Sequence, residues 1–150
     1  MQKITTFLTY NNQAEQALNF YTSVFKNSKT VSVMRNGDMF FGATIELEGQ
    51  EFFLLNGGPT FSFSLGISLF VNCPTQEEID YYWEKLSEGG HKDRCGWLQD
   101  KFGVAWQIVP PILGQLLGNK DAAKSQRVMQ AMLKMNKLEI QGLMDAADGK

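Results

Sequence analysis

Histidine occurs once and cysteine twice among the 150 residues, and each scarcity removes a class of function before any residue is placed. A single imidazole excludes a multi-histidine metal centre. Cys73 and Cys95 are too few to staple a disulfide framework and read as two free thiols of a reducing compartment. Positive charge is not in excess: 14 Lys and Arg stand against 16 Asp and Glu, net −2. With no cationic stripe to hold a phosphate backbone, nucleic acid is not an expected partner. No apolar run approaches the ~20 residues of a membrane helix. The start, Met1 to Phe7, lacks the apolar stretch and small-residue cleavage site of a secretory leader, so a cytoplasmic location without a membrane partner is expected. What is present, 43% hydrophobic and 20% charged residues, is the balance of a globular chain of one-domain length.

The chain repeats itself. Ile4 to Tyr10 is β-branched and aromatic, hence strand-like, and Asn11-Asn12 breaks it. Ala14, Ala17, Leu18, Tyr21, Val24 and Phe25 then follow the spacing of one buried helical face. Asn12 with Glu15 has the form of a capping box. A second strand signal, Gly66 to Asn72, is followed by a capping box at Thr75 and Glu78 and a helical face of Ile79, Tyr82, Trp83 and Leu86. Sliding one copy onto the other pairs Leu8 with Leu69, Asn11 with Asn72, Tyr21 with Tyr82 and Phe25 with Leu86. Strand signals follow each helix: Thr30 to Asn36, Asp38 to Glu48 and Gln50 to Asn56 in the first copy, turning at Gly37-Asp38 and Gly49-Gln50. The second copy has a shorter, irregular stretch from His91 to Asp100 and a closing strand, Val104 to Val109. Each copy is therefore strand, helix and about three strands. One such unit leaves a sheet face bare, so two are expected to pair.

Alternation sorts the faces. Thr6, Leu8 and Tyr10 oppose Thr5, Phe7 and Thr9; Ile67, Leu69 and Val71 oppose Gly66, Ser68 and Phe70. Likewise Phe52 and Leu54 oppose Glu51, Phe53 and Leu55, and Trp106 and Ile108 oppose Ala105, Gln107 and Val109. The apolar set belongs under the helices. The mixed set, with Thr5, Phe7, Phe53, Ser68 and Gln107, is expected to line a concave pocket whose aromatic walls and few polar anchors suit a small organic ligand. From Pro110-Pro111 the composition changes to helix formers, with four of seven methionines. That extension either packs on its own chain or offers an adaptable Met-rich surface to a second subunit.

The duplicated unit, with Asn19-Phe20-Tyr21 on its first helix, resembles the vicinal oxygen chelate superfamily of glyoxalases, bleomycin-resistance proteins and ring-cleaving dioxygenases. Asn56-Gly57-Gly58-Pro59, Tyr81-Tyr82-Trp83-Glu84-Lys85-Leu86 and the run from Cys95 to Pro110 resemble its PhnB-like branch, often labelled demethylubiquinone methyltransferase-like. The resemblance implies an α+β fold of paired βαβββ modules, like glyoxalase, bleomycin-resistance protein and dihydroxybiphenyl dioxygenase. One domain, 1–110, would hold modules of about 1–58 and 64–110, and 111–150 would be a helical extension. Superfamily members with metal activity use inward His and Glu residues, whose positions fall near Thr5, Phe53, Gly66 and Gln107 here. None of these four is a metal-ligating acid, imidazole or thiol, so no metal and no cofactor is expected. No strand-to-helix Gly-rich loop of the kind that cradles a nucleotide-type cofactor is present either.

Other candidates carry a plainer reading beside the chemical one. Cys95, near Lys92 and Arg94, is a candidate nucleophile or a small pocket-wall residue; Cys73 is structural. His91 is a possible base or a solvated loop residue. Trp97 is a ligand platform or core, whereas Trp106 belongs under a helix. Glu46 and Glu51 are candidate acid–base groups, while the turn leaves Glu48 in water. Gly57-Gly58-Pro59 forms an anion nest or, more simply, a turn. The expected function is metal-free small-molecule binding through Thr5, Phe7, Phe53, Ser68, Trp97 and Gln107 in a homodimer. The alternative is a lyase, isomerase or dioxygenase-like enzyme using Cys95, Glu46 or Glu51.

Overall fold

The computed structural model describes residues 2–150, and the chain divides into two compact units at Ser62/Phe63. The first contains β1 (Thr6–Tyr10), α1 (Ala14–Val24), β2 (Ser28–Asn36), β3 (Met39–Leu47) and β4 (Gln50–Asn56). Its sheet order is β1-β4-β3-β2, with β1 parallel to β4 and the other neighbours antiparallel. Leu8, Tyr10, Ala43, Ile45 and Leu54 are buried on the face that receives Ala14, Ala17, Leu18, Tyr21 and Val24 of α1. Inside this core the Tyr10 and Tyr21 hydroxyls lie 3.0 Å apart.

Two local expectations shift. The second hairpin turns at Glu48-Gly49, one residue earlier than the sequence suggests, with both residues at positive φ as a tight two-residue turn requires. Asn12 does not cap α1, which starts at Ala14 with no local side-chain cap. Instead Ala14 N donates to Asn56 Oδ1 at 2.8 Å, and Asn56 Nδ2 donates to Phe40 O at 3.2 Å. The helix start is thus satisfied from the end of β4, a partner that no local motif reveals.

The second unit contains β5 (Leu69–Asn72), α2 (Gln76–Ser87), β6 (His91–Lys92), β7 (Trp97–Gln99) and β8 (Ala105–Val109). Three further helices follow: α3 (Pro111–Leu117), α4 (Ala122–Leu133) and α5 (Ile140–Ala147). Its sheet order, β5-β8-β7-β6, repeats that of the first. Thr75 caps α2 as expected, accepting from Glu78 N. The expected strand from Gly66 begins only at Leu69. Ser64 closes a turn around Gly66, and Ile67 is 74% exposed instead of lying under a helix. Trp106 is buried, and its indole Nε1 donates to Asp100 Oδ2 at 2.9 Å. Asp100, also buried, accepts from Phe102 N and Val104 N, so backbone donors and an indole replace the water its carboxylate has lost.

The C-terminal helices pack on the second unit. Val109, Leu113, Val128, Leu138, Leu143 and Ala147 form one buried cluster, with Met132 and Met135 half-buried against it. Pro111 opens α3, where its missing N–H costs nothing, and Asp121 caps α4 through Ala123 N and Lys124 N. Met135 lies past the end of α4 in a connecting strap. There Cys95 N and Gly96 N donate to Met135 O and Asn136 O. The Gln76 side chain donates to Leu138 O at 3.0 Å and accepts from Ile140 N at 2.8 Å. Lys137 Nζ reaches Asp80 Oδ1 at 2.9 Å. Hydrogen bonds from Lys137 and then Gln76 hold the Asp80 carboxyl below its ordinary range; the same Asp80 contact raises Lys137. Gly96 sits at φ +83°, where a Cβ would approach Ile108 O to 2.8 Å and Leu138 to 3.0 Å. Among the described residues no helix is long and apolar enough to cross a membrane.

Candidate functional site

In the first unit the helix-distal face of the sheet carries the expected aromatic pair. Parallel pairing of β1 with β4 places Phe7 beside Phe53, edge to face with centroids 5.8 Å apart. Phe7 is 54% and Phe53 36% exposed. Two adjacent rings left this open are apolar area that the described residues leave partly uncovered. They form one side of a recess of about 470 Å³, together with Thr5, Glu51, Gln2 and Lys3. Three of the six expected ligand residues, Thr5, Phe7 and Phe53, are thereby brought together. Gln2 and Lys3 were not expected. The Gln2 side-chain amide behaves as a short strand partner: Nε2 donates to Glu51 O at 3.2 Å while Oε1 accepts from Glu51 N at 3.2 Å. Gln2 Nε2 also lies 3.3 Å from Thr5 Oγ1, so the N-terminal arm is pinned as a wall of the recess. A lone polar residue ahead of a strand gives no sequence signal for this.

Glu46 and Glu51 are directly opposed across β3 and β4. Glu46 is engaged by Lys29 at 3.7 Å, which relieves the repulsion between two facing carboxylates. Glu48 is exposed on its turn and accepts from Asn27 Nδ2.

In the second unit Gln107 of β8 lies between Phe70 of β5 and Trp97 of β7 by register. Its Nε2 donates to Ser68 Oγ at 2.9 Å, and Ser68, Trp97 and Gln107 are all half-buried. Cys95 is engaged by the C-terminal segment: its backbone N–H donates to Met135 O and its Sγ lies 3.6 Å from Met132 O. Cys73 is fully buried, and burial, with a smaller contribution from the Glu78 charge, pushes its thiol up to about 12. His91 is exposed at the start of β6, its Nε2 3.2 Å from Asp93 Oδ1. At Gly57 a Cβ would collide with Thr9 Cγ2, so glycine there permits close chain packing.

The superfamily's metal positions do not fit a cation. Thr5, Phe53, Gly66 and Gln107 offer no charged or imidazole donor, and among the described residues no three His, Cys, Asp or Glu side chains gather as a metal site. The links from β1 to α1 (Asn11, Asn12, Gln13) and from β5 to α2 (Cys73, Pro74, Thr75) contain no glycine, so neither has the Gly-rich fingerprint of a nucleotide-type cofactor.

A family model described as 3-demethylubiquinone-9 3-methyltransferase matches residues 2–109. Among solved structures, the PhnB protein from Bacillus cereus is 39% identical, with a TM-score of 0.68, over 73% of this chain and 99% of that one. Protein PA1353 from Pseudomonas aeruginosa is 18% identical at a TM-score of 0.63, over 73% of this chain and 98% of that one. The genomically encoded fosfomycin resistance protein FosX from Listeria monocytogenes is 13% identical at 0.59, over 79% and 98%. The latter two likenesses are of fold alone, that of the glyoxalase and bleomycin-resistance proteins. No curated protein matches the chain. The family match ends at Val109, and the helices α3 to α5 lie beyond it.

Proposed function

Because this chain belongs to the family described as 3-demethylubiquinone-9 3-methyltransferase, the PhnB-like branch of the vicinal oxygen chelate superfamily, we propose that it binds a small organic molecule without the superfamily's metal. The observation that carries this reading is the recess of the first sheet, where Phe7 and Phe53 stand open beside Thr5 and Glu51. Its size is in the range of ordinary small-molecule sites, and its two aromatic rings with polar and charged side chains around them suit a ligand that has both an apolar and a polar part. On the second sheet Ser68, Trp97 and Gln107 offer aromatic and polar groups of the same kind, with Gln107 and Ser68 joined by a hydrogen bond. Gln107 has the shape of a glutamate but donates as well as accepts, which suits a neutral polar group better than a cation. Methyl transfer is not part of the reading, since neither strand-to-helix link has the glycines of a nucleotide-type cofactor cradle.

The same reading makes the protein a cytoplasmic homodimer, with exposed Met129, Leu133 and Met144 on the helical extension as the contact. Native mass spectrometry of tag-free protein reports subunit count and any co-purified adduct together. The binding claim is tested by screening small molecules against the wild type and a Phe53→Ala, Gln107→Ala double variant. A lost aromatic contact is expected to weaken ligands by about fivefold or more. Unchanged affinity for every ligand found would show that these faces do not bind.

A further inference from the structure

We infer that the first-sheet recess selects a zwitterion: a small aromatic or branched-apolar molecule carrying one ammonium and one carboxylate, as an α-amino acid does. This rests on the ligand-binding reading above and names its ligand class. Three observations combine. The recess holds one ammonium, Lys3, and one carboxylate, Glu51, both lining it. Among the described residues neither is engaged in an ion pair, whereas Glu46, the acid opposite Glu51, is occupied by Lys29. The same lining carries two apolar rings, Phe7 and Phe53, and a hydroxyl, Thr5, which accepts from the Gln2 amide and still has its own hydrogen to donate.

Charge balance decides against simpler ligands. An anion satisfies Lys3 but brings like charge to the Glu51 carboxylate, and an amine does the reverse. A neutral aromatic uses the rings and leaves both ions to water alone. Only a ligand with both charges complements the lining in full, with its apolar group against Phe7 and Phe53. Glu51 is well placed to discriminate, because the paired hydrogen bonds it exchanges with the Gln2 side chain fix its backbone.

The test compares four probes of similar size: L-phenylalanine, 3-phenylpropanoate, 2-phenylethylamine and 2-phenylethanol. Each is titrated into isotope-labelled full-length protein, reading the Phe7 and Phe53 resonances, for the wild type, Lys3→Gln and Glu51→Gln. Phenylalanine is expected to bind roughly fivefold tighter than either singly charged probe, the scale of one partly exposed ion pair. Lys3→Gln abolishes its advantage over the amine, and Glu51→Gln its advantage over the acid. Equal binding of all four probes at these rings overturns the zwitterion and leaves the pocket standing. Screened ligands that move these resonances while no probe does have the same meaning. If neither probes nor screened ligands move them, the pocket reading falls too.

Discussion

The two units share an order of elements and a strand order, yet they reach a buried core by different means. In the first, β2 and β3 are nine residues each, and a single helix covers the long sheet. In the second, the corresponding β6 and β7 have two and three residues. So short a ladder has few hydrogen bonds and little surface to bury. The deficit is met by the C-terminal helices, which add a second apolar cluster around Val128, Leu138 and Leu143 and tie their strap to Gln76, Asp80 and Cys95-Gly96. Duplication therefore preserves connectivity more strictly than strand length, and an added segment can supply what a trimmed sheet lacks.

Removing residues 111–150 breaks this comparison most severely. The second unit is expected to lose at least about 4 kcal/mol, more than a typical buried Leu→Ala cavity. In residue-resolved hydrogen exchange, Leu98 and Ile108 should lose protection while Ile45 and Leu54 keep it. Equal loss in both units would contradict the assignment of the helices to the second.

A pair of glycines sharpens the point at smaller scale. Gly49 and Gly96 both have φ near +80°, but a Cβ at Gly49 meets nothing within 4 Å, whereas at Gly96 it meets Ile108 O and Leu138. Gly49→Ala should cost about 1 kcal/mol in chemical denaturation, the cost of left-handed backbone alone. Gly96→Ala should cost about 3 kcal/mol, since strap and sheet must separate as well.

The buried thiol of the second unit gives a pH signature. Cys73 is raised to about 12 by burial, so the folded state holds its proton more tightly than the unfolded chain. Its contribution is complete below the ordinary thiol pKa near 9 and is lost as pH rises towards 12. Cys73→Ala should flatten the alkaline limb of the stability curve across that window, read by chemical denaturation at a series of pH values.

The smallest effect belongs to the strap's ion pair. Asp80 is lowered and Lys137 raised, so the pair's contribution is complete between the ordinary carboxylate and ammonium ranges; it fades as acid protonates Asp80 below the first and as base deprotonates Lys137 above the second. Because both side chains are partly exposed, Lys137→Met should cost under about 1 kcal/mol, and added salt should remove most of the difference.

What the residues alone disclosed follows from the range of each interaction. Alternation and helical spacing are local, so Leu8, Tyr10, Leu54, Trp106 and Ile108 were assignable to the helix-covered faces, and Phe7 with Phe53 to the other. The Thr75 cap, three residues from its donor, was equally legible. Features closed by distant partners were not: Asn56 capping α1, Gln76 clasping the strap, and Gln2 pairing with Glu51. Ile67 misled because alternation assumes a strand, and Ser64 closes a turn there instead. Lys3 escaped notice because an isolated surface lysine is ordinary until the fold sets it beside an aromatic recess.

The central claim is that the open aromatic recess of the first sheet is where a small molecule binds. A crystal structure of the full chain with a screened ligand tests it most directly. The account predicts the ligand against Phe7 and Phe53, with polar contacts to Thr5, Glu51 or Lys3. A ligand seated elsewhere, with these two rings still open to solvent, would contradict it.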